Sequence, residues 1–155
     1  MLSQQSFAQS ESGVTLDNFS NFPGSWKGTS KYFDANTGKY ISASVEMDIY
    51  SIKKSDSLTF LSFKPNEKTT TSVELIINSK GGQLINSRDV KYKYYSKSDS
   101  LEIIKEYSGY LEFYGIVLIK RTFIIGKESY LTRQEIQMPS QSSWLTLYEK
   151  RCARK

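Results

Sequence analysis

From Gly24 onward apolar and polar residues alternate along most of the chain, and a period of two marks strands with one buried face. The clearest run sets Ile41, Ala43, Val45, Met47 and Ile49 on one side and Ser42, Ser44, Glu46, Asp48 and Tyr50 on the other. Val73, Leu75 and Ile77 repeat the pattern, and Val90, Tyr92 and Tyr94 do so against Lys91 and Lys93. The same reading predicts strands over 26–33, 58–63, 101–107, 111–125, 130–137 and 144–151. The stretch 111–125 is long for one strand and apolar on both faces, so Gly115 is read as a bulge and the inward face stays open. Turn residues separate the runs: Asn36-Thr37-Gly38, Ser55-Asp56-Ser57, Gly81-Gly82, Ser98-Asp99-Ser100, Gly126-Lys127 and Pro139-Ser140. Lys54-Ser55-Asp56-Ser57-Leu58 recurs as Lys97-Ser98-Asp99-Ser100-Leu101, but the flanks diverge, so one turn chemistry is used twice without a duplicated fold. A helical period is absent except for one turn over 16–22.

Strands without covering helices leave exposed edges, and closure is the simplest way to remove them. The predicted fold class is therefore all-β: a single antiparallel up-and-down β-barrel of about 8–10 strands over 16–155. A short N-terminal helical turn precedes it, after a tail over 1–15. At 155 residues the chain matches one domain with a core of its own. Gly 9, Pro 3 and Cys 1 exclude collagen-like and Cys-framework architectures, and 38% hydrophobic residues exclude a disordered chain.

The net charge of +5 raises the question of nucleic acid or an anionic surface. Most cations stand singly among acids, which reads as a solvated basic face with no nucleic-acid partner. The dense run Lys150-Arg151-Cys152-Ala153-Arg154-Lys155 reads as a solubilising end. The most apolar stretch, 113–119, stops at Lys120-Arg121, far short of the ~20 residues of a spanning helix, so no membrane insertion is expected.

Catalytic constellations are scarce. With no His and one Cys, Ser-His-Asp and Cys-His sites and Cys-rich zinc sites cannot be built, so neither metal nor cofactor is expected. Glu46 and Asp48 are two residues apart, about 7 Å by strand rise, a spacing that glycoside hydrolysis could use. Their place opposite the apolar face of the same strand makes them solvated carboxylates instead. Cys152, close to Arg151 and Arg154, reads as an unpaired thiol. A non-enzymatic role follows.

Asn21-Phe22-Pro23-Gly24-Ser25-Trp26-Lys27-Gly28 resembles the Gly-x-Trp opening of the calycin superfamily, which holds the lipocalins, avidins and fatty-acid-binding proteins. In that superfamily the Trp begins the first strand at one end of the barrel, and a basic residue of the last strand packs across it. The resemblance implies these roles for Gly24, Trp26 and, by location, Arg151. Only residues 34–38 are available where fatty-acid-binding proteins insert two helices, so the likeness is to lipocalin-like barrels, including short exported bacterial ones. Haem barrels with a similar opening hold iron through His, which this chain lacks.

The leading expectation is that a small apolar or amphiphilic ligand binds in the barrel. Tyr32, Ala43, Val45, Met47, Tyr92 and Tyr94 would line a modest pocket at the end opposite Trp26, where Ala43 leaves room and the Tyr hydroxyls orient the ligand. The alternative is a packed barrel acting through its outer surface as a protein-interaction module. The oligomeric state is not legible.

Ser6-Phe7-Ala8 places small residues at the −3 and −1 positions of a signal-peptidase site and points to export to a periplasmic or extracellular space. N-terminal sequencing of native protein should then return Gln9 as the first residue; an intact Met1 on cytoplasmic protein would contradict both cleavage and export.

Overall fold

The computed structural model describes residues 16–54, 57–65, 72–80, 83–84, 91–97 and 100–155. The expected tail over 1–15 and the turns at Ser55-Asp56, Gly81-Gly82 and Ser98-Asp99 lie outside these described residues. Among the described residues a 3-10 turn, Leu16–Phe19, leads into ten strands: β1 (Gly24–Asp34), β2 (Lys39–Lys53), β3 (Ser57–Phe63), β4 (Ser72–Lys80), β5 (Gln83–Leu84), β6 (Lys91–Lys97), β7 (Ser100–Leu111), β8 (Gly115–Gly126), β9 (Ser129–Gln137) and β10 (Leu145–Arg154). All neighbours are antiparallel, in the order β5-β4-β3-β2-β1-β10-β9-β8-β7-β6. For β5 and β6 only the backbone is described.

The sheet is curled into a half-barrel. Phe60 of β3 and Ile103 of β7 belong to one buried cluster, although six strand spacings, about 29 Å in a flat sheet, separate them in the order. The all-β, antiparallel reading holds. Among the described residues β5 and β6 stay unpaired edges.

Inward-facing residues form rows that run from strand to strand through the register. The lowest row joins Arg154, Trp26 and Met47. Above it lie Leu101, Ile125, Tyr130, Cys152, Gly28 and Val45, and then Ile103, Phe123, Thr132, Lys150, Ser30 and Ala43. Next come Lys105, Arg121, Gln134, Tyr148, Tyr32 and Ile41, and above these Tyr107, Ile119, Ile136 and Leu145.

The lower rows make the main core. Phe22 sits between Phe60 and Tyr130 at 4.7 and 4.8 Å between ring centroids, and Trp26 Nε1–H donates to the Phe22 carbonyl at 3.0 Å. Phe19 and Phe22 thus carry the 3-10 turn under the sheet as an apolar plug. A second cluster around Val117, Ile119 and Ile136 fills the far end of β8 and β9.

The basic partner of Trp26 is Arg154, not Arg151. The register sets Arg154 opposite Trp26, and its guanidinium carbon lies 4.2 Å from the ring centroid. It also donates from Nε to the Lys127 carbonyl at 2.7 Å, from Nη1 to Pro23 at 3.2 Å, and from Nη2 to Asn21. Arg151 differs in parity: it sits opposite Thr29 on the outer face, 60% exposed, and donates to Glu149 at 2.7 Å. The basic run is accordingly no solubilising end but a strand, whose alternation buries Lys150 and Cys152 and exposes Arg151. Glycine is required where β1 meets β10: a Cβ on Gly28 would lie 1.8 Å from the Arg151 carbonyl oxygen, and one on Gly24 would lie 2.3 Å from Arg154 Nη1.

Gly115 does not form a bulge. Residues 112–114 turn the chain, and Phe113 and Gly115 both adopt positive φ, 72° and 74°, so 111–125 is the end of one strand, a hairpin turn and the next strand. Register also settles the inward face of β8, which carries Val117, Ile119, Arg121, Phe123 and Ile125. Glu46 and Asp48 lie on the outer face, bonded to Lys155 at 3.1 Å and to Ser25 at 2.6 Å.

Two arginines three residues apart should therefore behave differently in urea unfolding. Arg154→Ala removes a ring stack and three carbonyl bonds and should cost about 1–3 kcal/mol, whereas Arg151→Ala, an exposed ion pair, should cost less than about 1 kcal/mol.

Candidate functional site

Midway up the concave face the apolar filling stops. The strand rise puts Ser30 about 13 Å from Trp26 along β1, and at that height inward positions become polar or short: Thr132, Lys150, Ser30 and Ala43, then Lys105, Arg121, Gln134 and Tyr148. A cleft of about 160 Å³ opens there, lined by Arg121, Phe123, Thr132, Gln134, Tyr148 and Lys150, with Val73 of β4 facing them across the curl. Its floor is Phe123, 3% exposed, and its walls are donors. Arg121 Nη2 donates to Gln134 Oε1 at 3.1 Å, which orients the guanidinium along the row. Lys150 is 5% exposed, with its ammonium 5.7 Å from the Tyr130 ring centroid.

Lys105 stands opposite Arg121, its Nζ 5.3 Å from the Tyr107 ring centroid. Burial, and after it the Arg121 charge, holds this ammonium below the ordinary lysine range. The acids of these strands face the other way. Glu135 pairs with Lys120 at 3.1 Å, and Glu149 with Arg133 and Arg151 at 2.7 Å each, all on the convex side. Burial works against the ionised Glu149 carboxyl, but the bonds from Arg151 and Arg133 outweigh it and hold its pKa below the usual value.

The sequence-predicted positions divide. Tyr32, 44% exposed, joins the Arg121 row and Ala43 the Lys150 row, so both flank the cleft without lining it. Val45 and Met47 fall one and two rows lower, against the Trp26 core, and do not line this cleft. Tyr92 and Tyr94 sit in register opposite Lys105 and Ile103; their side chains lie outside the described ones. This cleft lies at mid-height; towards the end opposite Trp26 the cluster around Ile119 and Ile136 packs the concave side, and a shallow hollow of about 230 Å³ opens beside Ile116, Val117, Gln137 and Met138.

Arg121, Gln134 and Lys150 are not among the sequence-predicted positions, since composition alone marks charged and amide side chains as outward. The available signal was parity: Lys150 shares the period of Cys152 and Arg154, and Arg121 that of Phe123 and Ile125. Tyr114 was also missed. Its hydroxyl is enclosed without a hydrogen-bond partner, and burial, then the nearby Asp34 and Tyr40, raises its pKa. Among the described residues no group of three His, Cys, Asp or Glu side chains could hold a metal. No described helix is long and apolar enough to cross a membrane.

What fold and site define together is an antiparallel curled sheet with a polar, cation-bearing cleft on its concave face. No protein-family model and no curated protein matches the chain. Among solved structures it is similar to one titled as the crystal structure of Rv2717c from M. tuberculosis, at 13% identity over 90% of this chain and 96% of that one, with a TM-score of 0.46. A likeness that loose carries no argument about function.

The shifted Lys105 makes a pH prediction. A lysine whose folded pKa lies below its unfolded value binds fewer protons folded than unfolded between the two. Its destabilising effect is complete below the folded pKa and fades as pH rises towards the unfolded value near 10.4. Lys105→Met should raise Tm at pH 7 and reduce the gain in Tm between pH 7 and pH 10, as followed by circular dichroism.

Proposed function

We propose that the protein is a non-enzymatic binder of a small amphiphilic molecule in the concave cleft. One observation carries the reading: polar donors and an apolar floor converge inside a sheet whose lower rows are tightly packed. A solid barrel would continue the apolar rows upward. Instead Ile41 is 40% exposed, Tyr32 44% and Val73 54%, all flanking or lining the cleft, and they offer an apolar track for the part of a ligand that a 160 Å³ cleft cannot hold.

In this reading the half-barrel is a lipocalin-like barrel opened at one seam. An up-and-down barrel of ten strands needs each strand bonded to the next and the last to the first; β1–β10 and all the consecutive pairs but β5–β6 are present. The calycin assignment rests on Gly24, Trp26 and the stacked Arg154. Export delivers the binder to a periplasmic or extracellular space.

A second reading has its own observation. Tyr110, Phe113 and Ile116 are 75%, 73% and 71% exposed around the β7–β8 turn, and Tyr110 pairs directly with Ile116. That apolar tip suits the alternative of a protein-interaction module.

Titration with a fluorescent fatty-acid probe tests the first reading. Micromolar binding is expected, and Ala43→Trp, which fills the row beside Lys150, should weaken it at least about tenfold, roughly 1.4 kcal/mol. Absence of binding by the wild-type protein would leave the interaction module.

A further inference from the structure

The tip of the β7–β8 hairpin takes no part in the concave cleft, and its backbone carries a cost that the protomer itself does not explain. Tyr114 N–H donates to the Leu111 carbonyl at 3.1 Å, which closes a turn with Glu112 and Phe113 at its centre. Phe113 holds a φ of 72° at the place where such a turn favours glycine. Its side chain is 73% exposed, so packing within the protomer does not offset the strain. Glycine would serve the turn better and show less apolar surface to water. A strained backbone and an exposed ring at one position point to a contact made outside the protomer.

The hollow beside the tip has the complementary shape. It measures about 230 Å³, and none of the described residues that line it, Ile116, Leu118, Met138, Pro139 and Gln141 among them, is charged. Ser108, Leu118 and Gln137 are cross-strand neighbours that alternate with the buried Val117, Ile119 and Ile136, so the hollow opens on the convex side, away from the cleft. An apolar cavity of roughly 150 Å³ accepts benzene, so there is room for a phenyl ring. Ile116 belongs to both features: it lines the hollow, is 71% exposed and pairs with Tyr110 of the tip. We propose that the occupant is a second copy of this chain. In a two-fold dimer the Phe113 ring of one protomer enters the hollow of its partner, and the reciprocal contact closes the pair. A two-fold needs one patch to supply both knob and hole, and this hairpin does. Two tips and the hollow rims they cover amount to on the order of 1,200 Å², the low end of specific interfaces, which sets a weak and reversible dimer. The dimer is independent of the ligand role of the concave cleft.

Sedimentation equilibrium of the full chain tests this, and a reversible monomer–dimer equilibrium with a Kd of roughly 10–500 μM is expected. Phe113→Gly removes the ring and suits the positive φ. It should weaken dimerisation at least about tenfold while the Tm of dilute protein stays the same or rises. Gln141→Trp, at an exposed position on the rim, fills the hollow and should weaken dimerisation by as much. A mixture of the two variants should dimerise better than either alone, because Phe113 of the second still meets the open hollow of the first. Monomer at every concentration would overturn the proposal and leave the tip to a partner of another kind. Dimerisation that Phe113→Gly leaves unchanged would overturn it as well. Loss with Phe113→Gly but not with Gln141→Trp would mean that the tips pack on each other, and would overturn the contact between ring and hollow. Failure on any of these counts leaves ligand binding in the cleft standing, since the fluorescent probe reports on the other face.

Discussion

Everything above the base of the sheet follows from the way Trp26 is held. Its ring is fully buried beneath the Arg154 guanidinium, its N–H is fixed on the Phe22 carbonyl, and Phe22 is wedged between Phe60 and Tyr130. This contact joins the 3-10 turn, β1, β3, β9 and β10, and it fixes the inward parity of β1. In a sheet with period two, one residue set inward assigns the face of each of its neighbours through the register. Gly28 then brings β1 against β10 at a distance where no side chain fits. The rows up to Ile41 and Tyr32 are consequences of that anchoring.

A polar middle in a β-structure has a cost that the apolar base must offset. Desolvating Lys105 disfavours its charged form, and setting it opposite Arg121 adds repulsion. If stability alone had shaped these positions, Leu or Val there would extend the core from Phe123 to Ile119. The same strands place their ion pairs, Arg133 with Glu149 and Lys120 with Glu135, on the convex face, where charges are compensated.

Strand boundaries were largely legible because alternation is a local property. The predicted 58–63 became Ser57–Phe63, and 130–137 became Ser129–Gln137. The predicted 144–151, by contrast, starts one residue early and stops three short of the end of β10, Leu145–Arg154. The misreadings share one cause, that neither hairpin geometry nor pairing register is local. Gly115 was placed in a bulge because apolar residues on both sides hid the turn that Phe113 makes in a positive-φ conformation. Arg151 was assigned to Trp26 by location alone, although Arg154 and not Arg151 shares the parity of Cys152. The cleft was illegible for a related reason: Lys105, Arg121 and Gln134 are far apart in sequence and become neighbours through the β7–β8 and β8–β9 registers. Composition marks such residues as surface, and only pairing turns them inward.

The central claim is that ligand meets this protein on its concave face at the Arg121 and Lys150 rows. Backbone amide shifts of isotope-labelled protein, recorded by NMR during a decanoate titration, address it most directly. The account predicts the largest changes at Arg121, Phe123, Thr132, Gln134, Tyr148 and Lys150, with little change around Phe113. Changes concentrated at Tyr110, Phe113 and Ile116, with the rows unperturbed, would contradict it.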